Sequence, residues 1–281
     1  GKSVNIQTWE KTDNNDALGQ QFILKRMVWT FDERQAALSS FATNRSITTF
    51  GEYSIGSGAR QALLSAIDRI QSSGSSVGFV MMDLTTGQGV AYNADQRIYS
   101  ASTIKGPYVA SLVSQNPNAL QSWSATISNI LYYSSNEGYS SIRQAFGSTP
   151  FYAWCQKSGV DTGLASEYYT WYSARELAKL WVTNYDYFTR GGGSALGSRF
   201  EHAQISALQN TLGSQYKVQS KEGWYSGSAT IYDSTSDGGI IYSSTGTYVV
   251  AIMSSIPENH SALSSLARAI DRAHSEMRIQ A

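Results

Sequence analysis

The chain has 281 residues, 41% of them hydrophobic, enough to bury a full core as one large domain or two interleaved layers. Lys+Arg and Asp+Glu number 21 each, for a formal net charge of zero, so there is no basic field to recruit nucleic acid or anionic lipid. One cysteine, Cys155, rules out an internal disulfide, and histidines at 202, 260 and 274 give no zinc-type cluster, so neither metal nor cofactor is expected. No apolar run is long enough to span a membrane and no charged-then-apolar leader opens the chain, which fits a cytosolic protein or one whose leader has been removed.

Residues 1–55 are polar and weakly periodic, an extension of unknown role with a short strand or helix expected around "QQFILKRMVW". In "ARQALLSAIDRIQSSG" the residues Leu63, Leu64, Ile67 and Ile70 fall on one helical face and Gly74 supplies a stop. "SVGFVMMDL" and "GQGVAYNAD" flank Thr85-Thr86-Gly87, a hairpin signal. From Ser102 to about Leu212 the pattern is mostly helical, clearest in "SARELAKLWVTNY". Strands return in "QYKVQSKEGW", "SATIYDS", "GGIIYSS" and "TYVVAIMSS", and an amphipathic helix over "ENHSALSSLARAIDRAHSEM" closes the chain. The order predicts an α/β (α+β) fold: one antiparallel sheet built from both termini with flanking helices, residues 56–101 and 213–281, and an inserted all-helical domain, residues 102–212. The active site is expected in the cleft between them.

Chemistry concentrates in "IYSASTIKGPYVASLV". If a helix starts at Ser102, Lys105 lies one turn on and on the same face, within reach of the hydroxyl. A serine is a poor nucleophile until a neighbour takes its proton, and a lysine can do so once burial or nearby positive charge lowers its pKa. Backbone N–H groups at a helix start also favour an oxyanion. Pro107 predicts a tight or distorted first turn. Further on, Ser134 and Asn136 can project together from a loop, a second hydroxyl to relay a proton and an amide to hold a carbonyl. Lys221 stands two residues before Gly223 on an expected strand, where glycine permits close approach of a substrate backbone. Each pattern has a plain structural alternative: an N-cap at Ser102, a turn at Ser134-Ser135-Asn136, a solvated Lys221. Their order along the chain, SxxK at a helix start, SxN after a helix and KxG on a returning strand, sets them apart.

This ordered set resembles that of the penicillin-recognising serine hydrolases, most of all the class A β-lactamases. The resemblance runs from about Ala59 to the C-terminus, through "GFVMMDLTTGQGVAYNADQRIYSASTIK" and "DGGIIYSSTGTYVVAIMSS". It implies a serine β-lactamase/transpeptidase-like fold, Ser102 as acyl-accepting nucleophile and Lys105 as its base or proton shuttle. It further implies that Ser134 passes the proton to the leaving nitrogen, Asn136 binds the substrate amide and Lys221 tunes Ser134. The N–H groups of Ser102 and Trp224 would form the oxyanion hole. A small β-lactam or cell-wall peptide-like substrate, a monomer and an extracytoplasmic location with the leader absent are implied in the same way.

The chain departs from that pattern in three places. The family's KTG is Lys221-Glu222-Gly223, and a glutamate at the substrate-binding position would repel a substrate carboxylate unless protonated or paired. Ser135 replaces the Asp of SDN, a change that SxN accepts. No Glu-x-x-Leu-Asn lies between Asn136 and "SARELAKL", and Glu167 stands too close to the following helix to match the deacylating glutamate, so it reads as a surface residue. Acylation is expected to outpace deacylation. A D,D-peptidase or penicillin-binding protein using the same residues is the enzyme alternative, and a catalytically retired binding module is the other. Gly74-Ser75-Ser76-Val77-Gly78 fits a nucleophile elbow in composition only, because a helix precedes it where a strand is required.

Overall fold

A computed structural model describes residues 4–11 and 20–279, with side chains from 29 to 277. An N-terminal hairpin, β1 (Val4–Lys11) and β2 (Gln20–Val28), precedes α1 (Phe31–Leu38), β3 (Thr48–Phe50), α2 (Ser57–Ser72), β4 (Val77–Asp83), β5 (Gly89–Tyr92) and β6 (Ile98–Tyr99). Helices α3 (Lys105–Gln115), α4 (Ala119–Ser122), α5 (Ser124–Tyr133), α6 (Asn136–Phe146) and α7 (Thr149–Ser158) follow, then β7 (Trp171–Tyr172), α8 (Ala174–Arg190), α9 (Ser194–Gly197) and α10 (Ala207–Leu212). The chain ends with β8 (Lys217–Tyr225), β9 (Ser234–Ser243), β10 (Gly246–Ser254) and α11 (Ser264–Ile279).

Six strands form one antiparallel sheet in the order β3-β5-β4-β10-β9-β8. Its centre is buried on both faces, which is why "VGFVMMD" reads as a continuous apolar run rather than an alternation. The period of two still operates, but between two cores. Val80 and Met82 of β4, with Val249 and Ala251 of β10, join the core beneath α3 and α8. Phe79 and Met81, with Val250 and Ile252, join the core beneath α2 and α11. Each such fully buried aliphatic side chain contributes roughly 1.5–3 kcal/mol. The mixed architecture and its antiparallel sheet agree with the sequence-based expectation of fold class.

Local differences have physical causes. "SATIYDS" is not a strand: Thr230–Tyr232 forms a single 3-10 turn with Ile231 68% exposed. The strand expected over "GGIIYSS" begins earlier, with β9 opening at Ser234, because β8 is long enough to pair with it as far as Tyr225↔Ser234. On α2, Leu63 is buried but Leu64 is 42% exposed, since one residue's rotation carries it off the buried stripe. The start of α8 follows its sequence signal: Ser173 accepts from the Glu176 N–H and the Glu176 carboxylate accepts from the Ser173 N–H, a capping box.

Candidate active site

The tight turn expected ahead of Pro107 is a 3-10 turn over Ala101–Ile104, leading directly into α3 at Lys105. Every residue of α3 from Lys105 to Val113 is buried, so the turn is seated on the molecule's most enclosed helix. Ala101 enters it with φ +44°, and Ser134, at the end of α5, has φ +61°. Left-handed backbone at non-glycine residues costs energy and is retained where the surroundings enforce it. Pairing of β6 with β7 anchors the Ala101 approach, with the Ser100 N–H donating to Thr170 O at 2.7 Å.

Strand β8 closes the other side, and glycine makes its approach possible. A Cβ on Gly223 would lie 2.5 Å from the Thr103 N and 2.7 Å from the Ser102 N, and one on Gly106 would lie 2.9 Å from Lys221 Cβ. These contacts are shorter than packed atoms tolerate, so the two glycines set how close β8 comes to Ser102. β8 is the outer strand, with alternate peptide groups facing away from β9. Lys221 Nζ bonds the Glu222 carbonyl on that outer side, and alternation along the strand puts the Trp224 N–H there too, beside the Ser102 turn.

The polar side chains meet at Ser134. Lys105 Nζ lies 2.8 Å from Ser134 O, 2.6 Å from Asn136 Oδ1 and 3.3 Å from Ser134 Oγ. Lys221 Nζ donates to Ser134 Oγ at 3.1 Å, Glu222 O at 2.8 Å and Glu222 Oε1 at 3.0 Å. Both lysines are fully buried, which excludes the solvated reading of Lys221. Burial first, then the neighbouring Lys221 charge, lowers the Lys105 pKa to about 7, against the opposing pull of Glu222. A neutral Lys105 fits its contacts: two N–H groups serve the two carbonyl oxygens and the lone pair accepts the Ser134 hydroxyl. Lys221 has three acceptors within reach, Ser134 Oγ, Glu222 O and Glu222 Oε1.

Three sequence-based expectations change. Lys105 Nζ is engaged with Ser134 and Asn136 rather than with Ser102, whose Oγ has no hydrogen-bond partner within the described residues; the carbonyls at the α5–α6 junction satisfy the amine better than one hydroxyl. Ser134 sits in the two-residue connection between α5 and α6, as the C-cap of α5, whereas Asn136 is already the first residue of α6. Glu222, expected at the substrate-binding position, is not among the residues that line the cleft. It is fully buried and paired with Lys221, and it sits directly opposite Asp237 across β9, so the two carboxyl groups share a sheet face. Glu222 Oε2 and Asp237 Oδ1 are both buried without a partner. Asp237 is pushed up to about 7, by burial and then by Glu222, while its bond from Ser206 opposes the rise.

The cleft over Ser102 is lined by Tyr99, Ala101, Ser102, Ser134, Asn136, Tyr169, Trp224 and Tyr225. No charged residue is among them. Tyr169 OH donates to Asn136 Oδ1 at 3.0 Å, and Glu167, two residues earlier, is exposed. The sequence reading missed these aromatics, although the run Tyr168-Tyr169-Thr170-Trp171-Tyr172 was a visible signal, and it missed Asp237.

The fold is that of a β-lactamase. The structure of a β-lactamase from Sphaerobacter thermophilus DSM 20745 superposes with a TM-score of 0.62, covering 81% of this chain and 99% of that chain at 16% identity. The family model Beta-lactamase2, described as the β-lactamase enzyme family, matches residues 60–128, the segment from α2 through the Ser102 turn into α5. No curated protein matches. Among the described residues no helix is long and apolar enough to cross a membrane.

Proposed function

We propose that the protein is a serine hydrolase, related to the class A β-lactamases, that forms an acyl-enzyme on Ser102 from a β-lactam or a related amide or ester. In this reading residues 56–101 and 213–281 form one wall of the cleft and residues 102–212 the other, and the protein works outside the cytoplasm. The observation that carries it is the placement of Ser134 Oγ between two buried lysine amines, one held near neutrality, at the floor of a cleft that also contains Ser102. Ser102 Oγ attacks the acyl carbon, and neutral Lys105 takes its proton, directly once substrate loosens the Asn136 contact or by way of Ser134. Ser134 delivers a proton to the leaving atom, and the charge on Lys221 steadies its oxygen. The oxyanion falls between the N–H groups of Ser102 and Trp224, and Asn136 holds the substrate amide.

Intact-mass analysis after treatment with a fluorophosphonate tests this. One adduct is expected on the wild type and none on Ser102→Ala; an adduct mapped to a different serine overturns the assignment. A second reading, a D,D-peptidase or penicillin-binding protein, is favoured by one feature: no carboxylate lines the cleft to activate a deacylating water. A lasting adduct with a labelled penicillin supports that reading, and rapid turnover supports a lactamase.

A further inference from the structure

Five aromatic rings meet at the mouth of the cleft, with Tyr99 as their hub. Its ring centroid lies 6.3 Å from Tyr169, 5.7 Å from Trp171, 6.2 Å from Tyr225 and 5.0 Å from Tyr232. Tyr232 closes the group, 5.8 Å from both Trp171 and Tyr225. Separate segments bring these rings together: the β6–β7 pair with the residues leading into β7, the end of β8 and the 3-10 turn before β9. Part of the surface stays open, since Trp171 is 38% and Tyr232 36% exposed, with Ile231 beside them at 68%. Large apolar groups left open in contiguous array mark a binding surface. The array is also joined to the candidate nucleophile, because Tyr99 leads into the Ser102 turn and Tyr225 follows Trp224.

The charge arrangement points the same way. Lys105 and Lys221 lie below the cleft floor with every donor already placed, and Glu222 is spent on Lys221. A substrate carboxylate entering this cleft loses water and meets no free cation in return, a costly transfer. Burial also holds the Tyr99 phenol up at about 12, so the ring at the centre of this wall stays uncharged across the working range. We propose that the cleft selects uncharged acyl donors bearing a flat aromatic group, which lies on the Tyr99 cluster while Ser102 takes the acyl carbon. The proposal rests on the reading of Ser102 as nucleophile. In the reaction the Ser102 Oγ–carbon bond forms as the bond from the acyl carbon to the leaving heteroatom breaks. The serine proton travels by Lys105 and Ser134 to that heteroatom. Water then displaces the acyl group from Ser102, giving a carboxylic acid and the free hydroxyl.

The test uses a matched set of S-ethyl thioesters, of phenylacetic, hexanoic, phenylmalonic (one carboxylate free) and 4-trimethylammoniobutanoic acids, followed by thiol release. The phenylacetyl ester is expected to show the highest kcat/KM, roughly tenfold above the hexanoyl ester, the order of gain that aromatic stacking supplies. Tyr232→Ala and Trp171→Ala, both at partly exposed positions, are expected to lower the ratio of phenylacetyl to hexanoyl kcat/KM severalfold, and Tyr99→Leu to bring it close to one; a ratio unchanged in all three variants overturns the proposal. Equal rates for phenylacetyl and hexanoyl esters overturn the proposal, as does a fastest rate for the phenylmalonyl or the trimethylammonium ester. If fluorophosphonate labels Ser102 but none of the thioesters acylates it, the substrate class is wrong. If fluorophosphonate fails to label Ser102, the nucleophile reading fails instead.

Discussion

Lys105 is the residue on which the chemistry turns. Its amine is useful as a base only when neutral, and with the pKa lowered to about 7 it is neutral above that value and protonated below. Acylation of Ser102 is therefore expected to fall as pH drops through about 7. Lys105→Arg, whose side chain stays charged, should lose about 10²- to 10⁴-fold at every pH, measured as the rate of adduct formation. Glu222 raises the Lys105 pKa, so Glu222→Gln, which can keep the bond from Lys221, should shift the acid limb to lower pH. An unmoved limb counts against the coupling. Residue types and order were legible in the sequence, but their hydrogen bonds were not. "KEG" shows a glutamate in the strand; only the fold shows that the strand lies at a sheet edge, where Lys221 folds over to meet it and Asp237 lies opposite.

At the scale of elements, β8 and the 3-10 turn before α3 act as one unit, held at a distance that glycine sets. Gly223→Ala places a Cβ against backbone atoms of Ser102 and Thr103 that cannot swing aside like a side chain. The strand must retreat, and overpacking of this kind costs about 1–3 kcal/mol. A lower Tm together with a loss of Ser102 labelling is the expected result; full labelling at wild-type rate would show that β8 does not set the geometry. Elements with an internal signal were readable in advance: the β4–β5 hairpin from its Thr-Thr-Gly turn, α8 from the amphipathic pattern of "SARELAKLWVTNY". The early start of β9 over Ser234–Asp237 was not, because nothing local in "STSD" favours a strand, and its order comes from β8 on one side and β10 on the other. "SATIYDS" failed in the opposite sense, with strand-like composition but no neighbour to pair with.

For the whole molecule, the buried charges tie stability to pH. Asp237 binds its proton more tightly in the folded state, about 7 against an ordinary value of 3.8, so its contribution is complete below the ordinary value and is lost as pH rises through about 7. Lys105 has the opposite sense: its depressed value disfavours the folded state at and below neutrality, and stability recovers as pH rises from about 7 toward 10.5. A single proton gives a slope of at most about 1.4 kcal/mol per pH unit. Asp237→Asn mimics the protonated carboxyl, still accepting from Ser206 and Leu208, and should flatten the decline between pH 4 and 7 in denaturant titrations. An unchanged slope would show that Asp237 does not carry this titration.

The layout of helix, hairpin, helical insert, returning strands and closing helix could be read from periodicity, since each core-facing stripe is local. The aromatic cluster could not, because its rings come from segments far apart in sequence that meet only when the sheet and helices close on each other. The central claim, an acyl-enzyme on Ser102 formed by a lysine base and hydrolysed without a carboxylate base, is tested most directly by pre-steady-state product release from a chromogenic ester. The account predicts a burst of close to one equivalent per chain, then slow turnover, with the burst absent in Ser102→Ala. Rapid turnover with no burst, or a burst that survives Ser102→Ala, would contradict it.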